Sequence, residues 1–170
     1  KDKNLWHLSH EGLDLEDPAN EPDLDKALFL EMGVSPYQAP DTPTTVSVSF
    51  EAGVPVAVDG EKMKVSDIIR KLNKLGGENG VGILDIVENR LIGMKDHGIY
   101  ETPGGTILYF AHEQLEMLTL DKETAHMKSK LAVDYADLIY NGKWFSPLAE
   151  ALTAFAKKAN ENCTCLLYTS

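Results

Sequence analysis

The chain has 170 residues, of which 43% are hydrophobic, and its 27 acidic and 16 basic side chains give a formal net charge of −11. This length and apolar content fit one folded domain of ordinary size and exclude wholesale disorder. The negative charge argues against nucleic acid and anionic membrane surfaces as partners, because both bind basic patches. No apolar run approaches the roughly 20 residues of a membrane-spanning helix.

The first long segment, residues 11–43, is acidic and punctuated by prolines. A packed domain seldom carries so long an irregular segment unless the segment is functional or wraps a neighbour. Its apolar island, Leu28-Phe29-Leu30, is expected to anchor its middle. The charge of residues 11–25 also leaves a second function open, a non-catalytic interaction domain that docks a basic partner.

Regular structure is predicted from residue 46 onward. Alternating apolar and polar residues over 46–51 and 54–58 predict two half-buried strands. The Asp59-Gly60 pair that follows them is a strong hairpin signal. Apolar residues at helical spacing over 65–72 predict a helix, and residues 81–87 predict a further strand.

Three helices are predicted in the last part of the chain. Thr102 can cap the first, Asp121 the second, and Ser146-Pro147 opens the third. Because strands come mainly first and helices mainly last, we predict an α+β domain with a mostly antiparallel sheet and helices packed on one face. The predicted buried faces of the helices contain Ile107, Phe110, Ala111 and Leu115, then Met127, Leu131, Tyr135 and Leu138, then Leu148, Leu152 and Phe155.

The character of the sequence changes abruptly after residue 162, where Cys163 and Cys165 lie one residue apart. Two cysteines exclude a disulfide framework, which fits a reducing cytoplasm. As metal ligands they would make a weak site, because no second pair of ligands accompanies them. We expect residues 163–170 to be a non-native tail, which is excluded from the predicted fold, and residues 1–162 to be one partial domain.

The densest cluster of polar residues, Glu88-Asn89-Arg90, follows an apolar strand. Glu88 can accept hydrogen bonds from an ammonium group and Arg90 can fork onto a carboxylate, so this pair could bind a zwitterionic ligand. The same residues could instead form a strand end whose charges are solvated or paired with each other. Spacing alone favours this second interpretation.

A turn with several glycines, residues 98–106, is predicted to lead into the helix after Thr102. Such a helix N-terminus suits an anion, but it could equally be an ordinary cap with small residues for close packing. Tyr100 could orient a small polar ligand or lie in the core with a satisfied hydroxyl. The glycines of residues 76–82 lack the Gly-Lys-Ser/Thr ending of a phosphate-binding loop.

Two stretches of sequence are specific enough to indicate a family. The first is Asn4-Leu5-Trp6-His7-Leu8-Ser9-His10-Glu11-Gly12, with Leu15-Glu16-Asp17-Pro18 after it. The second comprises Gly80-Val81-Gly82, Asp85-Ile86-Val87-Glu88-Asn89-Arg90, Ile92-Gly93-Met94-Lys95 and Gly98-Ile99-Tyr100-Glu101-Thr102-Pro103-Gly104-Gly105-Thr106-Ile107-Leu108. Together they resemble the synthetase domain of the argininosuccinate synthase family. The resemblance covers the chain from about Asp2 to about Asn160. At Asp96-His97 the chain departs from the family pattern, which often has Ser-Arg.

The resemblance implies part of an ATP-dependent ligase of arginine biosynthesis. Family members use ATP, with Mg, to adenylate the ureido oxygen of L-citrulline, and the amine of L-aspartate then displaces AMP. Their ATP and aspartate sites lie in an N-terminal nucleotide-binding domain marked by a Ser-Gly-Gly-Leu-Asp-Thr-Ser loop, which this sequence lacks. We therefore expect this chain alone to be inactive. The family also implies a cytoplasmic homotetramer.

The residues that the resemblance carries over are contacts to citrulline. They are Ser9, Glu88 and Tyr100, each within a matching motif. A carboxylate suits the citrulline ammonium, and the two hydroxyls supply directional hydrogen bonds. We predict no catalytic, cofactor-binding or metal-ligating residue in this chain.

Overall fold

The computed structural model of the chain describes residues 1–17 and 19–169. Within these residues the chain forms four α-helices and eight strands, and every strand pair is antiparallel. The predicted α+β class is therefore confirmed. The strands are β1 (Asp2–Lys3), β2 (Leu8–Glu11), β3 (Val46–Glu51), β4 (Val54–Val58), β5 (Glu61–Lys62), β6 (Ile83–Asn89), β7 (Lys95–Glu101) and β8 (Cys165–Thr169).

The helices begin close to the predicted capping residues. Asp121 Oδ1 accepts a hydrogen bond from the Thr124 N–H at 2.9 Å, and Ser146 Oγ accepts one from the Ala149 N–H at 3.2 Å. Thr102 occupies the predicted cap position, but its side chain makes no capping bond. In the part of the chain that the structure describes, no helix combines the length and hydropathy needed to cross a membrane. The helices are α1 (Val65–Glu78), α2 (Pro103–Thr119), α3 (Lys122–Tyr140) and α4 (Pro147–Asn160).

The strands divide between two four-stranded sheets, whereas the sequence predicted one. The first sheet has the order β1-β2-β7-β6, and the second has the order β5-β4-β3-β8. The irregular residues 12–45 separate β2 from β3 and carry the chain from one sheet to the other. Within the second sheet the predicted hairpins are confirmed, with Val48 opposite Val58 and Ala57 opposite Lys62.

The main core lies between the second sheet and the helices α1 and α2. Val48 and Val58 contribute from the strands, and Ile68, Leu72 and Leu115 contribute from the helices, each with 0% of its surface exposed. Alternation along β3 and four-residue spacing along α1 bring these side chains onto facing surfaces. Their burial confirms the predicted half-buried strand and amphipathic helix.

Residues near the C-terminus are part of this core and its sheet. Cys163 is 0% exposed, and its Sγ lies 3.0 Å from Thr119 Oγ1. Strand β8 pairs with β3 in a register that places Cys165 opposite Phe50. Residues 163–169, which the predicted fold left out, therefore belong to the described structure, because β8 covers the edge of β3 that β4 leaves unpaired. That this tail is non-native stays a prediction.

Several predicted helix faces are only partly buried. Ala111 in α2 and Leu152 in α4 are buried as predicted. Phe110, Met127 and Leu148 are 52%, 48% and 54% exposed, and α3 buries no residue completely. Helical spacing identifies an apolar stripe, but it does not show whether another element covers that stripe.

The sequence missed two strands of the first sheet, β7 and β2, and displaced a third. Residues 98–101 belong to β7 and α2 begins at Pro103, so only Thr102 separates the two elements where a turn was predicted. The strand predicted at residues 81–87 is observed at Ile83–Asn89. β2 was not predicted either, although it forms the centre of the first sheet together with β7.

The acidic segment is irregular, as predicted. Among the described residues of 12–45 the regular structure is a single 3₁₀ turn, Leu13–Leu15. Phe29 anchors the segment by stacking on the His10 ring, with centroids 4.8 Å apart, while Leu28 is 88% exposed. Further along, the Val34 N–H donates to the carbonyl of residue 77 at 3.0 Å. The segment therefore wraps from the first sheet to the end of α1.

The contact between this segment and α1 depends on Gly77. A Cβ at Gly77 would lie 2.0 Å from the Met32 carbonyl oxygen. Gly77→Ala should therefore destabilise the fold by about 1–3 kcal/mol through overpacking, even though alanine favours helix. Urea unfolding of the chain measures this difference. Lys74→Ala, on the exposed side of the same helix, is the control, and equal stability of the two variants would contradict the packing.

Candidate functional site

Ser9 and Tyr100 lie directly opposite each other on β2 and β7. β6 pairs with the other edge of β7, where Leu84 lies opposite Tyr100 and Glu88 lies opposite Asp96. Residues opposite each other in an antiparallel pair project to the same side, and side chains alternate along each strand. Ser9, Tyr100 and Glu88 therefore project from one side of the first sheet, which we call the site face.

A hydrogen bond joins two of the predicted residues. The Tyr100 hydroxyl donates to a carboxylate oxygen of Glu88. The ring reaches Glu88 by lying over Gly98, where an added Cβ would stand 3.0 Å from Tyr100 Cε2. Burial, together with the neighbouring Glu88 carboxylate, raises the pKa of Tyr100 well above its ordinary value, so the phenol keeps its proton. Gly98 is a requirement of the site that the sequence analysis missed, because it read this glycine as part of a turn.

The remaining surroundings of Tyr100 and Ser9 come from the start of the chain. Ser9 is only 5% exposed. The His7 ring packs beside Tyr100, with centroids 5.9 Å apart. Asn4 Oδ1 accepts the His7 N–H at 3.0 Å, which fixes the backbone that leads into β2. His7 belongs to the motif that carried the family resemblance, but its spacing gave no sign of this contact.

The charged residues of the site face separate into two groups. Arg90 Nη2 donates to Glu11 Oε2 at 2.8 Å and to Asp96 Oδ1 at 2.9 Å. The contacts of Arg90 therefore agree with the interpretation in which the charges of the strand end pair with other side chains, and not with the interpretation in which Arg90 binds a carboxylate of the ligand. In residues 1–17 and 19–169, no basic side chain forms a salt bridge with Glu88. Glu88 thus keeps a neutral partner, the Tyr100 hydroxyl, and its charge is not offset by a cation.

The residues that depart from the family pattern lie on both sides of the sheet. Asp96 is the second carboxylate on Arg90. His97 projects to the opposite side, where its Nε2 lies 2.7 Å from Asp85 Oδ1 and its Nδ1 lies 3.2 Å from the Leu15 carbonyl oxygen. His97 therefore holds the 3₁₀ turn against the back of the sheet and does not face the site.

The glycine-rich segment and the start of α2 do not form an open phosphate cradle. A Cβ at Gly82 would stand 2.6 Å from Pro103 Cα, and the Gly104 N–H donates to Asn73 Oδ1 at 2.9 Å. Pro103, Gly104 and Gly105 are all buried. These contacts agree with the close-packed helix cap, and these glycines leave no room for the phosphates of a nucleoside triphosphate.

The chemistry of the site face follows from its charges and hydroxyls. Glu11, Glu88 and Asp96 outnumber Arg90, so the face is negatively charged. A negative, partly buried surface with an unpaired carboxylate suits a ligand with an ammonium group. Hydroxyl groups beside it add directional bonds to other polar atoms of that ligand. The arrangement can therefore bind and orient a small polar ligand.

Fold and site face together define an α+β domain with a polar, negatively charged surface on one sheet. The particular family comes from sequence comparison. The family profile described as "Arginosuccinate synthase C-terminal domain" matches residues 1–168. The chain is 58% identical over 164 residues to the argininosuccinate synthase of Clostridium botulinum (strain Eklund 17B / Type B) and 59% identical over 163 residues to that of Moorella thermoacetica.

The chain belongs to the argininosuccinate synthase family. Each of these alignments covers 96% of the chain, but only 40% of the C. botulinum protein and 39% of the M. thermoacetica protein. The chain thus spans about two fifths of the length of the curated relatives that it matches.

The raised pKa of Tyr100 predicts a measurable titration. The Tyr100 phenol should ionise at a pH above the ordinary tyrosine value, because burial and Glu88 both raise its pKa. Ultraviolet titration of the chain and of Tyr100→Phe, with circular dichroism to follow the fold, gives the Tyr100 curve by difference. A midpoint near the ordinary tyrosine value of about 10 would contradict the contact.

Proposed function

We propose that this chain is the citrulline-binding part of an argininosuccinate synthase. The complete enzyme would join L-citrulline to L-aspartate with ATP, releasing AMP and pyrophosphate in arginine biosynthesis. Family membership supports this activity, as does identity of more than half of the aligned residues with proteins of that name. On this account the chain supplies the surface on which citrulline is held.

The unpaired charge of Glu88 is the observation that carries the proposal. Its carboxylate accepts from Tyr100 but has no cationic partner among the described residues, while the nearby Arg90 is taken up by Glu11 and Asp96. The citrulline ammonium would complete this arrangement as the missing cation. Glu88 would thereby select an amino acid over a neutral amide or urea.

Ser9 and Tyr100 would orient the ligand that Glu88 attracts. Both offer a hydroxyl from the same face as Glu88, and both are held in place by the pairing of β2 with β7. None of the three residues is needed as a proton donor or base, because ATP activates the ureido oxygen. Their contribution is to raise the effective concentration of that oxygen at the nucleotide.

ATP with Mg, and aspartate, would be bound by a part of the complete enzyme outside this chain. The packed glycines before α2 support this division, since they leave no room for phosphates. From family membership we propose that the complete enzyme is a homotetramer located in the cytoplasm. Exposed large apolar side chains support burial by other parts of such an assembly, and they include Val133, Tyr140, Trp144 and Phe145.

The alternative function, an acidic interaction domain, gains no support. Carboxylates of the acidic segment are used within the chain: Asp14 pairs with Lys26, Asp25 accepts from Gln38 at 2.9 Å, and Glu11 pairs with Arg90. These carboxylates therefore hold the loops of the acidic segment in place through contacts within the chain. No comparison connects the chain with such a domain.

The first test uses a chimeric synthase in which this chain replaces the matching 40% of the C. botulinum protein. Glu88→Gln keeps the size of the side chain and removes its charge. A hydrogen bond between charged groups is worth about 1.5–3 kcal/mol, so the citrulline KM should rise about tenfold to a hundredfold. Tyr100→Phe should act in the same direction but more weakly, since it removes one neutral hydroxyl.

The ATP KM of the same chimera should change little, because the nucleotide contacts lie elsewhere. Glu11→Gln is the matched control: it removes another carboxylate from the site face, but one already paired with Arg90 and exposed. An unchanged citrulline KM for Glu88→Gln, with a lowered melting temperature, would reduce Glu88 to a structural strand-end charge.

The second test concerns the chain alone. It should release no pyrophosphate when incubated with ATP, citrulline and aspartate, because the glycines that could have formed a phosphate loop are packed against neighbouring residues. The unmodified chimera at equal concentration is the positive control. Pyrophosphate release by the purified chain, above a blank without citrulline, would contradict the proposed division of the sites.

A further inference from the structure

A buried hydrogen-bonded pair, His10 and Glu101, lies on the side of the first sheet opposite the site face. His10 follows Ser9 on β2, and Glu101 follows Tyr100 on β7, so alternation turns both away from the site. His10 Nε2 lies 2.6 Å from Glu101 Oε1, and each side chain is only 3% exposed. This pair bridges the same two strands whose register aligns Ser9 with Tyr100.

The Glu101 carboxylate also binds the acidic segment. It accepts the Glu31 N–H at 3.0 and 3.1 Å and the Met32 N–H at 2.7 Å. Residues 28–32, which we call the strap, are thereby fastened to the back of β7. One buried carboxylate thus receives one side-chain donor and two backbone donors, which is a strong arrangement for an ionised group.

The His10 ring is held by Glu101 and by the strap. Its Nδ1 is buried and has no hydrogen-bond partner among the described residues, so Nε2 carries its polar interaction. The ring plane is set by Phe29 of the strap, which stacks on it at 4.8 Å with an angle of 18° between the planes. Strap, His10 and Glu101 therefore form one interlocked unit.

The strands that this unit bridges have few other means of holding their register. β2 has four residues, and its outer neighbour β1 has only two. Ser9 is only 5% exposed, so its hydroxyl is closely surrounded. A shift of β2 by one residue along β7 would turn that hydroxyl to the opposite face of the sheet, away from Tyr100. A cross-strand link on the back is well placed to prevent that shift.

We infer that His10 and Glu101 are positioning residues for citrulline, acting through the strap to hold Ser9 opposite Tyr100. This inference rests on the proposed function of the site face. His10 and Glu101 would thus affect citrulline binding without touching the ligand. The strap, which is part of the acidic segment, would contribute to the site through them.

The test uses the chimeric synthase described above. Glu101→Gln should raise the citrulline KM about tenfold or more, because it weakens the hydrogen bonds that hold β2 and the strap against β7, while the ATP KM stays unchanged. His10→Leu should act in the same direction. His10→Gln restores an N–H donor toward Glu101 and should recover most of the lost affinity.

Asp85→Asn is the matched control, because Asp85 pairs with His97 on the same back face but is half exposed and receives no bond from the strap. It should leave the citrulline KM close to that of the parent chimera. Hydrogen exchange at the Glu31 and Met32 amides provides a second readout. Exchange should accelerate in Glu101→Gln and stay slow in Asp85→Asn.

The outcomes separate the two levels of the proposal. A parent chimera that turns over ATP without any dependence on citrulline would overturn the proposed function and this inference with it. The inference alone would be overturned if the parent chimera depends normally on citrulline and Glu101→Gln has the same citrulline KM as the parent, although its amide exchange is faster. If Glu101→Gln fails to fold, Phe29→Leu is the substitute, because it weakens the packing of the strap without leaving a buried charge unpaired. An unchanged citrulline KM in Phe29→Leu would also overturn the inference.

Discussion

The antiparallel pairing of β2 with β7 is the constraint on which the site depends. It places Ser9 opposite Tyr100, and the alternation of side chains sends their neighbours His10 and Glu101 to the other side. One short pair of strands therefore carries the polar site face on one side and the buried His10–Glu101 contact on the other. A slip of one residue would exchange the two faces, and the inferred role of His10 and Glu101 is to prevent that slip.

Charge on the site face is arranged so that one carboxylate remains available. Arg90, at the end of the β6–β7 hairpin, lies between Glu11 and Asp96 and offsets both. Glu88 is held by a tyrosine hydroxyl instead, and the raised pKa of Tyr100 keeps that hydroxyl protonated. An anionic site with a neutral positioning partner favours an ammonium-bearing ligand. Gly98 makes this possible, because its missing side chain gives the tyrosine ring its path to Glu88.

Much of the fold could be predicted where local signals and packing agree. The hairpin of β3 and β4, the amphipathic helix α1 and the caps at Asp121 and Ser146 follow from alternation, helical spacing and side-chain acceptors. β7 could not be predicted, because both of its faces carry polar residues and no hydrophobic period marks it. Likewise, the role of β8 depends on the unpaired edge of β3, which only the assembled sheet reveals. The grouping of Ser9, Glu88 and Tyr100 was predicted from family motifs, since their spacing along the chain does not show that three strands bring them to one face.

The central claim is that citrulline lies on this face, with its ammonium at Glu88. A crystal structure of the chimeric synthase soaked with citrulline tests it most directly. We expect electron density for citrulline on the site face, with its ammonium nitrogen within hydrogen-bond distance of Glu88 and polar atoms within reach of Ser9 and Tyr100. Citrulline bound elsewhere in the enzyme, with the Tyr100–Glu88 hydrogen bond unchanged and the site face empty, would contradict it.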